Sequence, residues 1–176
     1  TVKRSRNLKK RSRTAKTSVS LFLEGSSTLP FAGVTGRRLK NAALRVCEMA
    51  DLTGVALSII LTDDDGIRKI NRKYRKKARP TDVISFAYRD NPFPGPVGAV
   101  EELGDVYISL ERAMDQAARF GVTPAEELMR LLAHGILHLA GYDHERSTDD
   151  AALMHAKQAE VISAITRRLP STRGRF

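Results

Sequence analysis

Val19, Leu21 and Leu23 alternate with Ser20, Phe22 and Glu24, a two-residue period that predicts a first strand. After a loop rich in Gly, Ser, Pro and Thr over 25–36, the period lengthens. Leu39, Ala42, Ala43, Val46, Cys47 and Ala50 recur at helical spacing and predict an amphipathic helix over 37–50. The run Val55-Ala56-Leu57-Ser58-Ile59-Ile60-Leu61 is too short and too β-branched for a helix, so it predicts a second, largely buried strand. Thr62-Asp63-Asp64-Asp65 opens a helix over about 65–75, with acids where the helix dipole favours them. Ile67, Ile70 and Tyr74 point inward there and the basic residues outward. The aspartates read as caps rather than as a magnesium site, for no partner ligands stand nearby in the sequence.

Thr81-Asp82-Val83-Ile84-Ser85-Phe86 predicts a turn running into a third strand, and Asp105-Val106-Tyr107-Ile108-Ser109 a fourth. Between them, residues 91–98 hold three prolines and two glycines and predict a loop. Helices are expected over about 110–120, 124–140 and 148–167. The second has a clear start, with Thr123 as N-cap, Pro124 in the first turn and Glu126 close behind. The third carries Leu153, Val161 and Ile165 among its apolar positions. Four short strands with intervening helices and a helical C-terminal half predict one α+β domain.

Composition narrows the class. A chain of 176 residues with 41% hydrophobic residues can bury a core of its own. No run of eighteen apolar residues occurs, and the N-terminus lacks the apolar core of a secretory signal, so a soluble cytoplasmic protein without membrane contact is expected. The single cysteine, Cys47, permits no intrachain disulfide and reads as a buried inert thiol.

Charge adds a partner. The net charge is +10, and twenty of the thirty Lys and Arg residues fall in three blocks free of acids: eight in 1–16, eight in 68–79 and four in 167–175. Such clustering points to a polyanion, nucleic acid before an anionic membrane, whereas a merely solvated basic face is the plainer account. Residues 1–16 hold almost nothing to bury and read as a disordered basic arm, and 169–176 as a basic tail flanking a domain over 17–168.

The sharpest chemistry lies in His134-Gly135-Ile136-Leu137-His138-Leu139-Ala140-Gly141-Tyr142-Asp143-His144, which holds three of the four histidines. His134 and His138 stand four apart, on one face of a helix. Gly141 can end that helix in the left-handed conformation and turn His144 back towards the first two rings. Three neutral imidazoles with an open fourth position form a hydrolytic zinc arrangement, with the metal at the end of a helix in the C-terminal half. The spacing is that of the metzincin proteases, but their glutamate general base is replaced here by Gly135. Asp143 either orients a ligand histidine or caps the turn after Gly141. His155, alone on the last helix, reads as solvent-facing. A cation beside the metal would stabilise charge on phosphorus, and by sequence alone any of Arg72, Arg75 or Arg79 could serve.

Three blocks resemble the bacterial YbeY family and occur in its order. They are Asn71-Arg72-Lys73-Tyr74-Arg75 leading to Pro80-Thr81-Asp82-Val83-Ile84-Ser85-Phe86, then Leu103-Gly104-Asp105-Val106-Tyr107-Ile108-Ser109, then the histidine string. With Met154 and Glu160 downstream, the resemblance covers roughly residues 18 to 166. It implies an α+β fold with a small mixed sheet flanked by helices, which with the elements above means four strands and about five helices. It also implies a zinc-dependent, single-strand-specific endoribonuclease of 16S rRNA 3′-end maturation and ribosome quality control. Carried over by position, His134, His138 and His144 hold one Zn2+ ion (other divalent metals being admissible) and Arg75 is the functional arginine. Arg72, Lys76, Lys77 and Arg79 beside it are candidate RNA contacts, with rRNA and the ribosome as partners. Ala87 departs from the proline usual after Ser-Phe, and the basic arm lies outside the resemblance. Two rivals remain: a non-catalytic assembly factor with a structural zinc, and a metalloprotease-like hydrolase.

Overall fold

The computed structural model describes residues 16–25, 29, 31–90, 100–143 and 147–167. Most of the basic arm, the tail, the proline-rich loop and His144 therefore lie outside the described residues. Four strands, β1 (Ser18–Leu23), β2 (Val55–Thr62), β3 (Val83–Ala87) and β4 (Glu101–Ser109), form one sheet in the order β1-β2-β4-β3. β1, β2 and β4 run parallel, and β3 closes the edge antiparallel to β4, so the sheet is mixed, as the resemblance implied. Five helices surround it: α1 (Gly36–Met49), α2 (Asp64–Arg75), α3 (Leu110–Phe120), α4 (Pro124–Leu139) and α5 (Thr148–Thr166).

Alternation along the strands separates two faces. Leu57, Ile59 and Leu61 of β2 and Val106 and Ile108 of β4 enter the main core with Leu39, Val46 and Cys47 of α1 and Leu132 and Ile136 of α4. Ile60 and Ile84 turn to the opposite face, where α2 packs against the sheet. Burying side chains of this size stabilises the fold by roughly 1.5–3 kcal/mol each before the entropy of ordering is charged. Cys47 is fully buried, and desolvation pushes its thiol up to about 12, so it is inert as expected.

Helix starts follow the sequence closely. Asp63 caps α2 by accepting from Gly66 N–H at 2.7 Å. Thr123 and Glu126 form a reciprocal capping box on α4, with Pro124 in the first turn. Asp64 has a use that the capping pattern does not suggest. It takes a two-pronged contact from Arg112, at 3.0 and 2.6 Å, and the Ser109 hydroxyl at 2.8 Å, joining α2 to α3. Burial pushes this carboxyl up, but Arg112 and Ser109 outweigh it and hold the group below the ordinary carboxylate value.

Three expectations need correction. β4 starts at Glu101 rather than 105, because Glu101 and Glu102 pair with Val55 and Ala56 of β2 although their side chains read as loop. Tyr74 is 55% exposed rather than inward, its ring edge-on to Phe86 at 5.0 Å between centroids. On α5 the buried positions are Met154 and Val161, and Leu153 faces out. Among the described residues, no helix is long and apolar enough to cross a membrane.

Candidate active site

α4 crosses the centre of the molecule, against β3 and β4 on one side and α1, α3 and α5 on others. It is so apolar that only Arg130, His134 and His138 interrupt a buried run from Leu128 to Leu139, all three half-buried at the surface of a cleft. Their Nε2 atoms face each other at 3.1 Å. On the far side of the first ring, Nδ1 of His134 donates to Oε1 of Gln158 on α5 at 2.9 Å. That bond places the proton on Nδ1 and leaves the lone pair of Nε2 directed towards His138. Gln158 gave no signal in the sequence; a glutamine on a terminal helix reads as surface.

Gly135 sits between the sheet and the histidine face. A methyl group built there would overlap Cγ1 of Val106, and its carbonyl accepts from the Ser85 hydroxyl at 3.1 Å. The helix can therefore approach β4 and β3 closely enough to put His134 against the sheet edge. Its end is equally determined. Gly141 N–H donates to His138 O and Tyr142 N–H to Leu137 O, each at 3.0 Å, with Gly141 at φ +95°. This paired C-terminal bonding reverses the chain directly after His138. Tyr142 and Asp143 follow on the cleft wall, and His144 is the next residue, outside the described set.

The cleft, about 680 Å³, lies between the last turn of α2, strand β3 and α4. Val83, Ser85 and Ala87 of β3 form one wall, so the departure at Ala87 falls on the cleft itself. Arg75, the last residue of α2, stands at the rim, exposed and with no hydrogen bond or ion pair among the described residues. Its place is set by the turn that follows. Lys76 adopts the left-handed conformation, and its N–H returns to the Asn71 carbonyl. The buried Asn71 side chain also donates to Arg79 O at 2.7 Å, folding the 76–80 loop back on the helix.

Arg72, Lys76, Lys77 and Arg79 are exposed and lie outside the cleft lining. Of the three arginines that the sequence left open, only Arg75 reaches the cleft. His155 is exposed on α5.

Sequence reasoning missed two further cations on the lining, Arg89 and Arg130. Arg89 pairs with Glu101. Asp82 lies low on the wall and accepts from Gln116 Nε2 at 3.0 Å, Val83 N–H at 2.9 Å and the Thr81 hydroxyl at 3.1 Å. Burial pushes its carboxyl up, but those donors prevail and hold it below the ordinary value, so it stays ionised at neutral pH. Among the described residues no group of three or more His, Cys, Asp or Glu side chains is placed to hold a metal ion.

Known proteins share both the sequence and the fold. The family model described as "Endoribonuclease YbeY" matches residues 33–166. A protein of that name from Persephonella marina is 45% identical over 132 residues, covering 75% of this chain and 84% of the relative. Another from a Sulfurihydrogenibium species is 42% identical over 137 residues, 77% of this chain and 87% of the relative. The solution structure of TM1509 from Thermotoga maritima superposes with a TM-score of 0.60 at 28% identity, covering 90% of this chain and 99% of that one. The match over residues 33–166, which span α1 to α5, places this chain in the endoribonuclease YbeY family.

Proposed function

We propose that the chain is a metal-dependent, single-strand-specific endoribonuclease of ribosomal RNA maturation, acting in the cytoplasm at the 3′ end of 16S rRNA and in ribosome quality control. The observation that carries this reading is a pair of imidazole nitrogens converging at 3.1 Å in a cleft whose rim holds Arg75, its side chain unpaired among the described residues. The donor set fits zinc. With Zn–N bonds of about 2.0–2.1 Å, two nitrogens on one tetrahedral ion stand about 3.3 Å apart. Gln158 holds His134 in the tautomer that a ligand requires. His134, His138 and His144 would hold one Zn2+ ion, His144 being the residue that follows Asp143 in the sequence. When bound, the ion supplies Lewis acidity, polarising a phosphoryl oxygen and acidifying water.

The remaining roles belong to the chain's own residues. Arg75 grips the scissile phosphate through its planar fork. Arg72, Lys76, Lys77 and Arg79, on the outer surface beyond it, guide the strand towards the cleft. Asp143 lines the cleft next to His144 and steadies that ligand or the turn. The domain over 17–168 carries the reaction, and the arm over 1–16 and the tail over 169–176 add phosphate contacts on RNA or the ribosome.

The test is cleavage of a labelled 16S precursor 3′ segment, offered single-stranded and annealed to its complement, with and without chelator. Cutting confined to the single strand and abolished by chelator is expected. Equal cutting of both forms, or cutting that ignores chelator, would overturn the reading. Failure to cut while binding ribosomal subunits would favour the assembly-factor account.

The role of Gln158 can be read without activity. Gln158→Leu is expected to weaken zinc binding by about 10–100-fold in competition with a chromophoric chelator. Unchanged affinity would show that the bond to His134 does not orient a ligand.

A further inference from the structure

Arg130 stands one helical turn before His134 on α4, so Arg130, His134 and His138 occupy one face and all three line the cleft. Its guanidinium is fixed from behind. Nε donates to both oxygens of Glu127, at 3.0 and 2.9 Å, and Nη2 donates to Oε1 at 2.6 Å. Nη2 also reaches Oε1 of Gln116 at 3.3 Å, and Gln116 in turn donates to Asp82. The Glu127 side chain is 2% exposed, whereas that of Arg130 is 32% exposed. The carboxylate is thus sunk in the helix interface and the cation is displayed at the wall. Four bonds on Nε and Nη2 leave Nη1 uncommitted among the described residues. The carboxylates that share the lining are Asp82, Asp90 and Asp143, and Asp82 is already occupied by Gln116, Thr81 and the Val83 amide.

A guanidinium clamped on one edge has lost its rotamer freedom before a ligand arrives. Arginine then offers two N–H groups in a fixed direction, which suits an anionic oxygen better than a mobile surface lysine does. Arg75 lies on a different element, at the rim. The cleft therefore carries cations from two elements, α2 and α4, along with the paired imidazoles, as an extended polyanion requires and a single phosphate does not.

We propose that Arg130 is a second phosphate-binding residue of this site, its Nη1 edge taking the backbone phosphate of a nucleotide adjoining the scissile one. Glu127 and Gln116 are its positioning residues. The inference rests on the ribonuclease reading and adds to it a second backbone contact, on the α4 face that carries His134 and His138.

Removing Arg130 alone would strand a buried carboxylate, so the informative variant is Glu127→Gln with Arg130→Gln, a neutral pair that can still hydrogen-bond. Arg119→Gln, which removes an exposed cation outside the cleft lining, is the control. For a short oligouridylate, the slope of log kcat/KM against log salt should fall by about 0.7 in the double variant, the value for one phosphate contact on a single strand. It should hold in the control. KM should rise in the double variant while kcat is kept. Should the amide pair not fold, Glu127→Met with Arg130→Leu, an apolar replacement of the pair, is read in the same way. An unchanged slope in a folded double variant that still cuts would overturn the inference alone and leave Arg130 as an anchor for Glu127. A wild type that cuts no single-stranded RNA would overturn both readings together.

Discussion

Cleavage of single-stranded RNA is expected to fall to background in His138→Ala and by about 10²–10³-fold in Arg75→Ala, the cost of losing one preorganised charge-stabilising donor. The two losses have different origins. His138 supplies one of two nitrogens that converge at 3.1 Å, and no other described side chain can take its place. The Arg75 side chain makes no hydrogen bond or ion pair among the described residues, so its truncation removes a contact with substrate and little that holds the fold. Arg75→Lys keeps the charge but not the fork, and should recover part of the loss. Because the two groups would act on one phosphate, the double variant should be no worse than His138→Ala. Circular dichroism of each protein checks that helix content is kept. Equal cutting by the wild type and every variant would mean that a contaminating nuclease does the work. Losses that multiply independently would place Arg75 outside the site that His138 serves.

The helices were legible because their signals are local. Thr123, Pro124 and Glu126 fix the start of α4 by hydrogen bonds that span three residues, and Gly141 fixes its end. Strand order is not local. That β4 inserts between β2 and β3 follows from which apolar faces the helices cover, and no run of residues states it. β4 was underestimated for a related reason, since Glu101 and Glu102 owe their extended form to pairing with β2 rather than to their own pattern.

The candidate site divides in the same way. The histidine pair shows in the sequence because its spacing equals one helical turn. The residues that tune the pair do not. Gln158 meets His134 across 24 positions, and Gln116 meets Asp82 across 34. Arg130 and Glu127 are three apart, but an Arg–Glu pair at that spacing reads as a solvated helix face until the burial of Glu127 is seen. Polar residues on predicted helices take their meaning from what packs over them.

Gly135→Glu is expected to destabilise the fold by on the order of 3 kcal/mol or more, and it should confer no protease activity. The position is where proteases of this histidine spacing carry their general base. Here even a methyl group overlaps Cγ1 of Val106 and comes within 3.2 Å of the Ser85 hydroxyl. Val106 lies at the middle of β4, fully buried, so it cannot swing aside as a surface side chain would. Extra volume in a packed core costs about 1–3 kcal/mol, and a carboxylate buried without a partner adds to that. Gly135→Ala isolates the steric part, offset by the roughly 1 kcal/mol that alanine gains over glycine in a helix. Combining it with Val106→Ala should return some of the loss, since the two sites touch. Urea midpoints of the three variants measure all of this. A Gly135→Glu protein as stable as wild type would show that α4 can lift from the sheet. In that case the absence of a glutamate beside His134 would be a choice of chemistry alone. If the loss is found, the close approach that seats His134 against β3 and β4 is what excludes the protease base, and packing and chemistry are set by the same missing side chain.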